Sequence, residues 1–200
     1  MKDKTDSQLV KLTKKGKESA FKELVERYQG RAYWVAFNML RNREEAIDIS
    51  QEAFLRVFRS LDRFDTKRNF YTWLYQIVAN LSIDHLRRKG VSKSVSLEAV
   101  GDLDGGHRQP AADIERAELR ERVRGVIDKL APKYKAVVTL RDIEGLSCKE
   151  IALIVGTSHA TVRWRLHRAR IIFRKLWEKE EARRQGKQIE DTEETADEMQ

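Results

Sequence analysis

Apolar residues recur along the chain at helical spacing, in two blocks separated by a poorer stretch. The first block runs from about Ser19 to Arg88. Phe21, Leu24, Val25 and Tyr28, then Tyr33, Val35, Phe37 and Leu40, predict one helix, interrupted at Arg41-Asn42-Arg43. A second helix carries Ile47, Phe54, Phe58 and Leu61 on or near one stripe, with Asp48, Gln51, Glu52, Arg56 and Arg59 elsewhere. A short loop over 62–69 leads to a third helix holding Phe70, Trp73, Leu74, Ile77, Val78, Leu81 and Leu86. That helix is expected to end at Arg87-Arg88-Lys89, where basic residues suit the macrodipole and Gly90 suits the position after it.

The second block runs from about Asp113 to Glu178. A helix through Ile114, Leu119, Val123, Val126, Ile127 and Leu130 stops before Pro132, and an apolar stretch over 134–141 follows. Ser147 and Glu150 fit a capping box, in which each side chain serves the other residue's backbone amide. The helix they open runs from Cys148 to Val155 and ends at Gly156. Thr157-Ser158 then caps a long helix to about Trp177. This is the plan of a helix-turn-helix, with Gly156 free to take the positive φ of the turn. Ile151, Ala152, Val155, Val162 and Leu166 have the spacing to pack the pair together.

The two blocks predict an all-α chain of two small helical domains joined by a flexible linker, 91–112. That linker holds three of the ten glycines and one of the two prolines. The boundaries are a basic segment 1–18, a first domain 19–90, the linker, a second domain 113–178 and an acidic tail 179–200. Neither end shows helical apolar periodicity over a useful length, and the tail is expected to be disordered. Six lysines stand against two aspartates in residues 1–17, whereas the last twelve residues carry six acids and no base.

Charge changes the picture from fold to partner. Forty Lys and Arg against thirty-two Asp and Glu give a net charge of +8, which suits a polyanion, nucleic acid or an anionic membrane surface. From Ser158 to Trp177 the last long helix has Arg163, Arg165, Arg168, Arg170, Arg174 and Lys175 and no acid. Its first turns present Ser158, His159, Thr161, Arg163, Trp164 and His167 outward. Arginine can grip guanine with two hydrogen bonds, and the others can meet phosphates or base edges. A charge run alone is equally a solvated surface. The capping box, the glycine turn and the acid-free helix together point to DNA. In the first domain, Phe64, Tyr71 and Tyr75 lie near Arg63, Lys67 and Arg68. Chemistry alone leaves two readings open there: packing, or a platform for unstacked nucleotides.

Other classes lack their signatures. His85, His107, His159 and His167 form no metal or hydrolase pattern with acidic clusters, phosphate-cradling glycine loops are absent, and no enzyme or cofactor is expected. The single cysteine, Cys148, excludes an internal disulfide; it reads as a spectator or a redox-sensing thiol. The polar N-terminus has no signal-peptide core and no apolar run reaches the ~20 residues of a membrane span, so a cytoplasmic protein without membrane insertion is expected.

Two stretches carry a family resemblance. DISQEAFLRVFRSLDRF with FYTWLYQIVANLSIDHLRRK closely resembles region 2 of the bacterial extracytoplasmic-function (ECF) sigma factors of RNA polymerase, and LAPKYKAVVTLRDIEGLSCKEIALIVGTSHATVRWRLHRAR closely resembles their region 4. The resemblance covers about residues 19–178. It implies that Asp48, Gln51, Glu52 and Arg56 dock on the β′ clamp helices of core RNA polymerase, whose β flap would meet the second domain. It implies that Phe64, Lys67, Arg68, Tyr71 and Asn80 shape a pocket for a flipped base of the −10 promoter element, with Arg87 and Arg88 on the backbone upstream. For the −35 element it implies base-proximal Arg163, Trp164 and His167, phosphate contacts from Arg165 and Arg168, and Ser158, His159 and Thr161 at the same interface. Trp164 departs from the pattern, which usually has serine there. An anti-sigma factor is the further partner implied. The competing reading is a stand-alone dimeric helix-turn-helix regulator of palindromic DNA.

Overall fold

A computed structural model describes residues 4–92, 111–184 and 186 of the chain, and among these every regular element is helical. Four helices make the first half: α1 (Asp6–Lys14), α2 (Glu18–Leu40), α3 (Arg43–Ser60) and α4 (Phe70–Ser92), with a 3₁₀ turn over Leu61–Arg63. Four more make the second: α5 (Ala111–Asp128), α6 (Pro132–Val138), α7 (Cys148–Ile154) and α8 (His159–Arg184), with a π-helical turn over Thr139–Ile143.

The boundaries follow local chemistry. Asn42 caps α3 by accepting from the Glu45 amide at 3.0 Å. Pro132 opens α6 at a first-turn position, where its missing N–H costs nothing. Arg41 ends α2 in the left-handed region at φ 57°, which costs a non-glycine residue about 1–2 kcal/mol. Its guanidinium offsets that strain. It pairs with Glu121 at 2.6 Å and Asp128 at 3.7 Å, both on α5, and lies over the Phe37 ring.

Two expectations about the ends are corrected. The N-terminal segment contains a true helix, α1. Thr5 and Gln8 cap it reciprocally, and Leu9 and Val10 are fully buried under it. Asp6 of α1 pairs with Arg27 at 2.6 Å and accepts from the Tyr28 hydroxyl, and Lys14 donates to the carbonyls of Asp62 and Phe64 at 2.9 and 2.8 Å. Similarly, α8 continues through Arg184, into the stretch expected to be tail. Arg122 of α5 and Lys129, just past its end, hold it there through Glu181 and Glu180. The rest of the acidic tail and linker residues 93–110 lie outside the described residues. Gly90 does not stop α4, which runs on to Ser92. A glycine inside a helix costs roughly 1 kcal/mol and does not by itself end one.

The halves pack into one body. A continuous buried cluster links Leu74, Tyr75 and Val78 of α4 with Tyr134, Val137 and Leu140 of the α6 region and with Ile151 and Ile154 of α7. Helix α4 meets both α6 and α7, and α2 meets the π-helical turn. Lys135 is carried into this interior with its ammonium 2.6 Å from Asp128; burial lowers its pKa, while the carboxylate opposes that shift.

Candidate nucleic-acid interface and docking faces

The helix-turn-helix forms as its sequence signals require. The Ser147 amide donates to Glu150 Oε2 at 2.9 Å and the Glu150 amide donates to Ser147 Oγ at 3.2 Å, closing the capping box of α7. Gly156 turns the chain at φ 63°. The Thr161 amide then donates to Ser158 Oγ at 3.0 Å, so Ser158 is the cap of α8. Val162, Leu166 and Ala169 are the buried stripe of α8. Ala160, Arg163, Trp164 and His167 are exposed on its outer side, while Thr161, Arg165 and Arg168 are half-buried on the flank and His159 is exposed at the start. The face aimed at solvent is therefore basic and aromatic. Arg170, further along, pairs with Asp142 at 3.0 Å.

The first domain sorts its predicted residues onto different faces. Lys67 and Arg68 are exposed in a tight turn, where the Lys67 amide donates to Asp65 Oδ1 at 2.9 Å and the Arg68 amide to the Asp65 carbonyl at 3.0 Å. Asn80, Arg87 and Arg88 are exposed on α4. Tyr71 is not beside Asn80. Nine residues separate them, which at 3.6 residues per turn puts them about 180° apart. Phe64 offers no open face either: it is 6% exposed and stacks on Trp73 at 4.4 Å between ring centroids. Its ring also meets Phe70 edge-on at 6.1 Å. Of the two readings left open for Tyr75, the structure takes packing: it is buried.

What sequence reading missed is Trp73. Half-buried beneath Phe64, it heads a stripe with Asn80 and Arg87 at seven-residue steps, the side-by-side spacing of a helix. The available signal was that i, i+7, i+14 register.

Tyr71 faces the second half. Its hydroxyl donates to Glu150 Oε1, across the seam between α4 and α7. This bond, with burial, raises the Tyr71 pKa; the same bond, with the Ser147 contacts, lowers that of Glu150. Nearby, Asn38 Nδ2 donates to Glu144 Oε1 at 3.0 Å. Burial raises the Glu144 pKa, opposed by Asn38 and by the Arg31 charge. Arg31, Tyr71, Tyr75, Glu144 and Leu146 line a polar cavity along this seam.

On α3, Asp48, Gln51 and Arg56 are exposed and Glu52 is half-buried, with Arg56 Nε donating to Glu52 Oε1 at 2.7 Å. The apolar stripe expected to be core splits here. Phe54 and Leu61 are buried, but Phe58 is 55% exposed, and Ile47 and Leu55 are also exposed. Ile47, Phe54, Leu55 and Phe58, with Phe21, Val25 and Tyr33 of α2, line an apolar groove to which Gln51 also contributes. Phe21 and Phe58 meet across it at 5.0 Å. Among the described residues no group of His, Cys, Asp or Glu is placed to hold a metal ion, and no helix is long and apolar enough to cross a membrane.

Comparison with known proteins places this geometry in a class. Residues 24–91 match the family Sigma-70 region 2, and residues 120–171 match Sigma-70, region 4. The ECF sigma factor SigW of Bacillus subtilis is 38% identical over 175 residues, covering 83% of this chain and 93% of that protein. The ECF sigma-E factor of Escherichia coli is 35% identical over 174 residues, covering 83% and 91%. Among solved structures, CnrH in complex with the cytosolic domain of CnrY superposes with a TM-score of 0.63 at 27% identity, over 86% of this chain and 97% of that one. The sigma factor RpoE of Bartonella quintana shares the fold, with a TM-score of 0.61 at 20% identity.

The chain belongs to the ECF sigma factors of RNA polymerase. It is a transcription initiation factor that directs polymerase to promoters; the stand-alone dimeric regulator is not favoured. Sigma factors are transcription initiation factors rather than catalytic enzymes.

Proposed function

We propose that this factor grips a promoter at two places while core polymerase carries it. The observation that supports this most directly is the presence of two cationic faces on separate halves of one chain: the outer side of α8, and the Trp73–Asn80–Arg87 side of α4 with the Lys67-Arg68 turn above it. Helix α8 lies in the major groove of the −35 element. Arg163, Trp164 and His167 meet base edges; His159, Thr161, Arg165 and Arg168 meet phosphates. Ser158 sets the helix start. The α4 face takes an unstacked base of the −10 element, and stacking and hydrogen bonding to it offset the few kcal/mol of unstacking. Arg87 and Arg88 hold the backbone beside it. The α3 face, Asp48, Gln51, Glu52 and Arg56, docks on the β′ clamp helices, and the apolar groove next to it extends the contact. The second half meets the β flap.

Promoter binding requires the closed body to open. Elements named −35 and −10 lie about 25 base pairs apart, roughly 85 Å at 3.4 Å per pair. Faces on halves that share one buried core cannot span that. The eighteen residues from 93 to 110 reach about 60 Å when extended, and two domains of ~13 Å radius supply the remainder. An anti-sigma partner would hold the closed body. In support, the similar CnrH was solved with the cytosolic domain of CnrY. The factor works in the cytoplasm, where the polymerase is.

Core polymerase labelled on its β′ clamp tests the reading. Tight binding of the full chain is expected, weakened at least tenfold by Gln51→Ala with Arg56→Ala. No affinity for core polymerase would overturn it.

A further inference from the structure

Trp164 is a large hydrophobic side chain left 56% exposed on the basic outer face of α8. On α8 the buried stripe is Val162, Leu166 and Ala169. At 3.6 residues per turn Trp164 projects almost opposite that stripe, with Ala160 one turn before it and His167 one turn after. All three are exposed. Arg165 and Arg168 stand to one side of this line and Arg163 to the other. When such a helix enters the major groove, its outward pole meets the base edges and its flanks meet the phosphate walls.

The indole is also held. Its ring lies 6.4 Å from that of Tyr134, tilted by 50°. Tyr134 is 3% exposed and fixed in the first turn of α6, with the Lys133 ammonium 5.0 Å from its ring. A bulky side chain braced on one edge presents its other edge at little further cost in conformational entropy.

An indole has one N–H donor, no acceptor and a wide apolar surface. The floor of the major groove is polar except at one group, the C5-methyl of thymine. Beside Trp164, Ala160 adds only a methyl. From this placement we infer that Trp164, with Ala160, makes apolar contact with a thymine methyl group in the −35 element and so selects thymine at that position. The inference rests on the proposal that α8 reads the −35 element.

The test uses the full chain with core polymerase. A promoter is first selected from a library randomised over the −35 element, using transcript yield. Each thymine in the selected element is then replaced singly by deoxyuridine, which removes the methyl and leaves base pairing intact. The expected result is a loss of about fourfold at one thymine, the equivalent of burying one methyl group, with wild-type protein. Trp164→Ser should transcribe both templates equally, and Trp164→Phe should keep part of the difference. Equal transcription of thymine and deoxyuridine templates by the wild type, from an element that other substitutions disrupt, would overturn the inference and leave the −35 proposal standing. A library that yields no −35 preference would overturn both.

Discussion

The hydroxyl of Tyr71 on α4 donates a hydrogen bond to the carboxylate of Glu150 on α7, joining the two halves of the molecule at the edge of their shared core. Glu150 has a second duty, since it also closes the capping box of the first helix of the helix-turn-helix. One carboxylate thus ties the start of the helix-turn-helix to helix α4.

Removing that tie favours opening. At so water-accessible an edge the bond contributes about 0.5–1 kcal/mol. Tyr71→Phe, which keeps the ring and its packing, should raise the open population two- to fivefold, measured by energy transfer between dyes on α3 and α8. An unchanged distance distribution would show that the bond is idle.

Glu144 acts in the opposite sense. Burial raises its pKa in the closed body, so that body holds the proton more tightly than the open chain does. Its contribution is full below the ordinary carboxylate range and drains away as pH rises through the raised value. Glu144→Gln should keep the Asn38 hydrogen bond without an ionised group. The variant should therefore gain stability over wild type, in thermal melts, as pH rises above the ordinary carboxylate range. A difference that shrinks with rising pH would contradict this.

Leu9 tests the N-terminal helix. It is fully buried, and truncating such a leucine costs about 2–5 kcal/mol. Leu9→Ala should lower the urea midpoint accordingly. A loss under about 0.5 kcal/mol would mean that α1 is not part of the core.

These features were unevenly legible in the sequence. The capping box at Ser147, the turn at Gly156 and the acid-free run of α8 are local, each complete within a few residues, and the structure forms them as read. Helix α1 was legible by the same logic, because Thr5 and Gln8 have capping-box spacing. Its short apolar stretch among lysines concealed it. Phe58 and Ile47 show a different limit: periodicity finds an apolar stripe but cannot say whether protein or solvent covers it. Phe64 and Tyr71 went the other way, since aromatic residues in and beside a basic loop suggest an open platform. Stacking on Trp73 and the bond to Glu150 arise from residues nine and seventy-nine positions away. The seam between the halves has no local signature at all.

Asn80 separates melting from docking. It lies on the α4 face with Trp73, whereas the residues proposed to dock on polymerase are on α3. Asn80→Ala should leave core affinity within twofold and cut permanganate reactivity of melted thymines near the −10 element. Identical footprints would remove Asn80 from the base pocket.

The account stands on two grips separated by a fixed length of DNA. Sequencing the 5′ ends of transcripts made on genomic DNA by core polymerase with this protein measures that directly. The prediction is a set of starts absent without the protein, each preceded by two shared motifs about 25 base pairs apart from centre to centre. Starts that share no motif pair, or no protein-dependent starts, would contradict it.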